Sequence, residues 1–167
     1  MEVYLIRHAI AEDRENWNEP DELRPLTKEG EKKMRRVVQG LRTLDPEFTH
    51  LYSSGLTRAL QTAEIVRKAL NLEDIRETEA LTPDAAPQEI MPVLNELPAN
   101  AVVGLVGHEP HMSALLSFLL AGHRGSFAIF KKGGIACLEV NHPVDAGRAT
   151  LRWMMEPRQL MWIGKVN

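Results

Sequence analysis

Apolar residues occur along the chain in short continuous runs that predict buried β-strands. The first run, Val3 to Ile6, is followed at once by Arg7 and His8, and the run from Ala101 to Gly107 is followed by His108. Continuous runs of this kind are typical of strands that are covered on both faces of a sheet. The pattern also predicts strands at Phe48 to Tyr52, within Glu73 to Glu79, at Ile135 to Val140 and at Thr150 to Met155.

Other segments place their apolar residues at helical spacing. The segment after Pro110 is apolar on nearly every side, which predicts a helix buried within the core. The segment from Ile90 to Leu97 predicts a short helix that is kinked or begins at Pro92. The longer helices are predicted at Lys28 to Leu44, Thr57 to Leu70 and Pro110 to Ala121.

The order of these elements predicts the fold class. Strands alternate with helices in the early part of the chain, as they do when helices cover both faces of a largely parallel sheet. We therefore expect one domain over residues 1–167, an α/β protein built as a three-layer α/β/α sandwich with a mainly parallel central sheet. The charged segment from Ile10 to Pro25 is expected to be a loop that leaves the first strand and borders a site.

Composition narrows the classes of function. The 167 residues carry a formal net charge of −3, and the sequence pI is near 6.1, which argues against nucleic acid as a partner. The single cysteine, Cys137, excludes an intrachain disulfide. No signal peptide is visible, and the longest apolar run is too short to cross a bilayer. We therefore expect a cytoplasmic protein without a membrane partner.

Chemically useful side chains follow three of the predicted strands. Arg7 and His8 follow the first, Ser54 and Arg58 follow the second, and His108 follows the third. In open α/β sheets the carboxyl ends of parallel strands border the ligand site, so these side chains are expected to converge. Two guanidinium groups and two imidazoles beside a helix N-terminus suit a doubly negative tetrahedral oxyanion. The pattern therefore predicts phosphate chemistry, in which a histidine can act as the covalent nucleophile.

These motifs resemble the histidine phosphatase superfamily, whose fold is phosphoglycerate-mutase-like. The resemblance rests on Ile6-Arg7-His8-Ala9, on Ser54-x-x-x-Arg58 and on Gly107-His108, and it covers the chain from Met1 to about Leu160. The surroundings Leu26-Thr27-x-x-Gly30 and Gln61-Thr62-Ala63 also match. The short chain, Leu81-Thr82-Pro83 and the ending Met155-x-Pro157 are similar to the small SixA-type phosphohistidine phosphatases.

The resemblance implies a role for each motif residue. His8 would attack phosphorus and become phosphohistidine, while Arg7, Arg58 and His108 would bind the non-bridging oxygens. Ser54 is expected to shape the turn or cap the second helix, with a direct phosphate contact as the alternative. Ala9 stands where the family usually has glycine, and alanine fits there if the backbone φ is negative.

Several other residues leave alternatives open. The general acid has no motif of its own; Glu79 is the first candidate, and Asp84 and Glu109 are the others. Lys132, in Lys131-Lys132-Gly133-Gly134, either contacts the substrate or belongs to a solvated turn. His111 and His123 together with His108 raise the idea of a metal site, but cysteine or carboxylate ligands at a fixed spacing are missing. We therefore expect no metal and no cofactor.

The sequence as a whole predicts a phosphatase that works through a phosphohistidine intermediate. The expected substrate is phosphohistidine on a protein. The alternatives are a phosphatase or mutase acting on a small phosphorylated metabolite with the same scaffold, and a module that binds a phosphorylated partner without turning it over. The set of Arg7, His8, Arg58 and His108 favours an enzyme over a binding module.

Overall fold

The computed structural model describes residues 1–123 and 125–165. In this part of the chain a six-stranded sheet has the order β3-β2-β4-β1-β5-β6. The strands are β1 (Glu2–Arg7), β2 (His50–Ser53), β3 (Arg76–Glu77), β4 (Val102–Gly107), β5 (Ile135–Val140) and β6 (Ala149–Met155). Strands β1 to β4 run parallel to one another, whereas β5 pairs antiparallel with β1 and β6 pairs antiparallel with β5. The expected mainly parallel α/β sheet is thus confirmed.

Helices cover both faces of the sheet. They are α1 (Lys28–Arg42), α2 (Thr57–Leu70), α3 (Met91–Asn95), α4 (His111–Ala121) and α5 (Pro157–Ile163). Short 3-10 helices lie at Arg14–Asn16, Asp21–Leu23, Glu79–Leu81 and Pro87–Ile90. Helix α5 was not predicted; its Leu160 is buried against α1, while its Trp162 stays exposed.

The central strand β1 contributes side chains to two hydrophobic cores, one on each face of the sheet. Val3 and Leu5 belong to the apolar cluster under α3 and α4, and Tyr4 and Ile6 belong to the cluster under α1, α2 and α5. Successive side chains of a strand point to opposite faces, so a continuous apolar run feeds both layers. This burial holds β1 rigidly in the middle of the sheet and fixes the position of its end at Arg7.

The predicted bounds of the longer helices agree closely with the structure. Helix α1 begins after Thr27, whose hydroxyl accepts a hydrogen bond from the Gly30 amide at 2.9 Å, which is an N-cap. Gly30 is required at this place because a Cβ there would lie 2.0 Å from the Ile10 carbonyl oxygen. The motif Leu26-Thr27-x-x-Gly30 therefore starts the helix and lets it pass close to the loop that leaves β1.

The short helix predicted near Pro92 differs in detail. A 3-10 helix at Pro87–Ile90 leads directly into α3, so Pro92 lies within the first turn of an existing helix rather than at a kink. Proline fits there because the first amides of a helix have no intrahelical acceptor. The 3-10 helix and α3 together place Ile90 and Leu94 in the core below α4.

Candidate active site

The ends of β1, β2 and β4 meet at one edge of the sheet, and a cavity of about 310 Å³ opens there. The motif residues Arg7, His8, Arg58 and His108 all line this cavity. Its remaining lining residues are Arg14, Asp21, Arg24, Pro83, Asp84, Glu109 and Lys132. A larger open groove between α1 and α2 contains none of the motif histidines or arginines, so the chemistry belongs to the smaller cavity.

His8 is held with one ring nitrogen committed to the backbone. Its Nδ1 donates a hydrogen bond to the Ala9 carbonyl oxygen at 2.7 Å, because a carbonyl can only accept. That tautomer leaves Nε2 with a free lone pair. The pKa of His8 is lowered to about 3, mainly by burial; the hydrogen bond to the Ala9 carbonyl opposes this shift, and the nearby charges of Arg58, Arg7 and Lys132 contribute to it. His8 is therefore neutral at physiological pH, as a nucleophile must be.

The backbone around His8 is fixed by hydrogen bonds from two sides. The His8 amide donates to the Gly107 carbonyl of β4 at 2.9 Å, and the Gly133 amide donates to the carbonyls of both Arg7 and His8 at 3.1 Å. Gly133 has φ of +82°, a conformation that favours glycine. The Arg7 amide also donates to the Gly134 carbonyl at 3.1 Å, so Gly133 and Gly134 together hold the end of β1 in place.

Ala9 fits at the position where the family usually has glycine. Among the described residues, positive φ outside glycine occurs at Asp45 and Asn71, so Ala9 has a negative φ. Its amide donates to the Thr62 hydroxyl at 3.0 Å, which ties the loop after β1 to helix α2. Gln61 adds a second tie, since its side-chain oxygen accepts from the Leu26 amide at 2.7 Å. The Gln61-Thr62-Ala63 motif therefore positions the loop that follows His8.

Arg7 reaches the cavity from the end of β1. Its Nη1 donates to the Phe130 carbonyl, and its buried Nε has no protein partner. Glu109 fixes this arrangement, because its Oε1 accepts from the Phe130 amide at 3.0 Å and from the Ser113 hydroxyl at 2.6 Å. Glu109 lines the cavity, and its Oε1 holds Phe130, the residue whose carbonyl accepts from Arg7.

Arg58 comes from the first turn of α2 and is buried. Both of its terminal nitrogens bind Asp21: Nη1 donates to the Asp21 carbonyl at 2.9 Å, and Nη2 donates to Oδ2 of the carboxylate at 3.0 Å. The other carboxylate oxygen, Oδ1, accepts from Arg24 Nε at 2.9 Å. No sequence motif singles out Asp21, which lies in the charged loop that is predicted to border a site.

His108 lies beside His8, with ring centroids 5.0 Å apart. Its Nε2 is 2.6 Å from the Ser54 hydroxyl, and its buried Nδ1 has no protein partner. Ser54 is fully buried and is not part of the cavity lining, and the N-cap of α2 is Leu56 without a side-chain cap. The expectation that Ser54 caps the helix is therefore wrong, because its hydroxyl is bound to His108 instead.

Of the other residues that the sequence analysis considered, some line the cavity and others do not. Lys132 is exposed and lines the cavity, whereas Glu79 is exposed on its 3-10 helix and is not among the lining residues. Asp84 lines the cavity from an exposed position. Within the described residues no group of three or more histidine, cysteine or acidic residues is arranged to hold a metal ion.

Comparison with known proteins agrees with this geometry. The model of the histidine phosphatase superfamily (branch 1) matches residues 3–82. An uncharacterized protein from Picosynechococcus is 34% identical over 137 residues, which cover 81% of this chain and 82% of that protein. The chain belongs to the histidine phosphatase superfamily. The superfamily places the activity in the phosphatase class, with a catalytic histidine.

Two further relatives indicate the branch. Phosphohistidine phosphatase SixA of Escherichia coli is 28% identical over 163 residues, which cover 96% of both chains. A solved structure of the protein histidine phosphatase SixA with tungstate superposes with a TM-score of 0.84 at 28% identity, covering 96% of this chain and 99% of that one. The fold of this histidine phosphatase is therefore phosphoglycerate-mutase-like, as expected.

None of the helices in the described ranges has the length and apolar character needed to span a bilayer.

Proposed function

We propose that this histidine phosphatase removes the phosphoryl group from phosphohistidine on a protein, with His8 as the nucleophile. The observation that carries the substrate choice is the state of the three carboxylates in the cavity. Asp21 is paired with two arginines, Glu109 accepts two hydrogen bonds, and Asp84 is exposed. Asp21 and Glu109 are thus engaged as hydrogen-bond acceptors within the protein, and Asp84 faces solvent, so none of the three is positioned as a proton donor.

The absence of a prepared acid among these lining residues matters because leaving groups differ in their need for a proton. An alkoxide that leaves from phosphoserine or a sugar phosphate is a strong base and needs a proton from a positioned acid. An imidazole that already carries a proton on its second nitrogen leaves as a neutral molecule. The cavity is therefore better suited to phosphohistidine than to an alkyl phosphomonoester.

The proposed reaction has two transfers. In the first, the Nε2 lone pair of His8 forms a bond to phosphorus, and the bond between phosphorus and the substrate imidazole breaks, with its electron pair going to that imidazole. In the second, water attacks phosphorus, the bond to His8 Nε2 breaks, and inorganic phosphate leaves. Both leaving groups are imidazoles, so the same cavity serves both steps without an acid.

The non-bridging oxygens need positive charge and hydrogen-bond donors throughout both steps. Arg7 and Arg58 are permanently charged, and each has a buried Nε without a protein partner. His108 donates from Nδ1 if its Nε2 accepts from the Ser54 hydroxyl. The related SixA structure is a complex with tungstate, a tetrahedral oxyanion, and this supports the same chemistry here.

The protein part of the substrate is supported by the surface around the cavity. Leu23 is 53% exposed and Ile129 is 78% exposed. Leu23 lies between the lining residues Asp21 and Arg24, and Ile129 precedes the Phe130 that binds Arg7. Apolar side chains exposed beside a cationic pocket are typical of contact with a macromolecule rather than with a free metabolite.

The test compares kcat/KM for a phosphohistidine protein, a short phosphohistidine peptide and a panel of phosphorylated metabolites. We expect phosphohistidine to exceed every alkyl phosphomonoester. Ile129→Ser should lower kcat/KM for the protein but not for the peptide, while Leu151→Thr, at an exposed site on β6, should change neither. A metabolite that exceeds both phosphohistidine substrates would identify a small-molecule phosphatase, and failure to turn over any substrate would identify a binding module.

A further inference from the structure

Asp21 is an unexpected residue in a cavity that binds phosphate. Its carboxylate lines the cavity and remains about one-third exposed (32%), while its two oxygens accept from Arg24 and Arg58. A carboxylate oxygen has more than one lone pair, so each can accept a further hydrogen bond from a bound molecule. A donor that enters the cavity therefore finds an acceptor ready beside Arg58.

The negative charge of Asp21 opposes the binding of phosphate itself. Its carboxylate lies 3.0 Å from Nη2 of Arg58, one of the two arginines proposed to bind the phosphoryl oxygens. Partial burial raises the pKa of Asp21, but the hydrogen bond from Arg24 and the charges of Arg58 and Arg24 outweigh it, so the pKa lies below its usual range. The group is therefore ionised at physiological pH and weakens the attraction of the cavity for simple oxyanions.

The same charge is favourable when the substrate carries a positive group next to phosphorus. A phosphoimidazole protonated on its second nitrogen is such a substrate, because its N–H is both a cation and a hydrogen-bond donor. A phosphate ester has neither. An anionic acceptor in the cavity thus separates the two substrate classes by charge.

We propose that Asp21 accepts the N–H of a protonated phosphoimidazole and so selects phosphohistidine over phosphate esters; this rests on the proposed function. The carboxylate holds the proton on the leaving imidazole while the bond to phosphorus breaks. The electron pair of that bond goes to the nitrogen that was phosphorylated, the proton stays on the other nitrogen, and neutral imidazole departs. No proton passes through Asp21, which distinguishes this role from that of a general acid.

Asp21→Asn tests the selection directly, because asparagine keeps the shape and the backbone carbonyl that binds Arg58. We expect kcat/KM for a chemically phosphorylated histidine peptide to fall by about tenfold to a hundredfold, the scale of one hydrogen bond to a charged group. For 4-nitrophenyl phosphate, which needs no proton to leave, kcat/KM should stay level or rise. Inhibition by inorganic phosphate should become tighter.

The matched control is Glu22→Gln, which removes the same charge from an exposed position on the same turn and should leave both substrates unchanged. The pH profile adds a readout that a structural role would not move. The difference between wild type and Asp21→Asn on the phosphohistidine peptide should be largest at low pH and should vanish as the phosphoimidazole loses its proton.

Three results would overturn the selection by Asp21. Equal losses on both substrates, with weaker inhibition by phosphate, would show that Asp21 only positions Arg58. A larger loss on an alkyl phosphomonoester would show that it is a general acid. No loss on the peptide would show that it does not contact the substrate. A wild-type enzyme that prefers phosphomonoesters would instead contradict the proposed function, so the two failures are distinguishable.

Discussion

The Ser54 hydroxyl lies 2.6 Å from Nε2 of His108, on the side of the ring away from the free Nδ1. A neutral imidazole has one donor and one acceptor nitrogen. If the hydroxyl donates to Nε2, the proton of the ring must be on Nδ1, where it can be donated to a phosphoryl oxygen. Burial, with the charges of His8, Arg58 and His111, lowers the pKa of His108 to about 2, although Asp21 raises it. The ring is therefore neutral at physiological pH and has a single proton, so its tautomer decides which nitrogen can donate.

Ser54→Ala should therefore lower kcat by roughly tenfold and change KM less, because the wrong tautomer of His108 weakens charge stabilisation in the transition state. Ser53→Ala is the control, since it removes a neighbouring buried hydroxyl that donates to the Ser54 carbonyl. Steady-state kinetics and the ¹⁵N shifts of the His108 ring measure the two effects. An unchanged tautomer together with unchanged kcat would show that the contact has no catalytic role.

The remaining carboxylates should be dispensable for phosphohistidine. Asp84→Asn and Glu79→Gln should each leave kcat/KM within several-fold, because neither group is needed to protonate a leaving imidazole. A loss of ~10²-fold or more, the usual scale for a general acid, would show that one of them donates a proton. The same variants assayed with a phosphoserine peptide show whether the answer depends on the leaving group.

Catalysis should not depend on a divalent metal ion, because two arginines already supply the positive charge that such an ion would bring. Activity should persist after exhaustive treatment with EDTA. Vanadate should inhibit competitively, and Arg58→Met should weaken that inhibition by at least tenfold, the scale of a lost charged contact. Loss of activity that one specific divalent ion restores would contradict this prediction.

Acid should destabilise the fold through its buried histidines. Burial lowers the pKa of His111 to about 4, although Glu89 raises it, and neither ring nitrogen has a protein partner. The unfolded chain, with a histidine pKa near 6.5, therefore binds more protons than the folded chain between pH 6.5 and about 4. The free energy of unfolding must fall as the pH falls through this window.

His111→Phe removes that titration and should reduce the loss of stability between pH 7 and pH 5 by about 2 kcal/mol. Urea unfolding of both proteins at the two pH values measures the difference. His142→Gln, at an exposed turn, is the control and should follow the wild type. A His111→Phe variant with the same pH dependence as wild type would show that His111 does not titrate as the structure implies.

Sequence patterns were sufficient for the parts of this molecule that local chemistry determines. The continuous apolar run at Val3 to Ile6 predicts a strand covered on both faces, which places the arginine and histidine after it at the edge of the sheet. Helix α2 was predicted with its observed bounds, Thr57–Leu70, because its apolar spacing and the stop at Asn71 are both local.

The rest of the site depends on contacts that are distant in the sequence. Asp21 is one acidic residue in a charged loop, and only the fold brings it to Arg58, 37 positions away. Ser54 and His108 are separated by 54 positions, so no spacing rule relates them. Glu109 is one of three candidate acids in the sequence, and only the fold shows that its Oε1 accepts hydrogen bonds from Phe130 and Ser113.

The central claim is that Nε2 of His8 becomes phosphorylated during turnover. Rapid acid-free quenching with a ³²P-labelled phosphohistidine substrate, followed by peptide mapping, measures it most directly. We predict a base-stable, acid-labile label on the peptide that contains His8, no label and no turnover in His8→Ala, and slower turnover with some remaining label in His108→Ala. A label on His108 that persists in His8→Ala, or hydrolysis that inverts the configuration at phosphorus without any phosphoenzyme, would contradict the account.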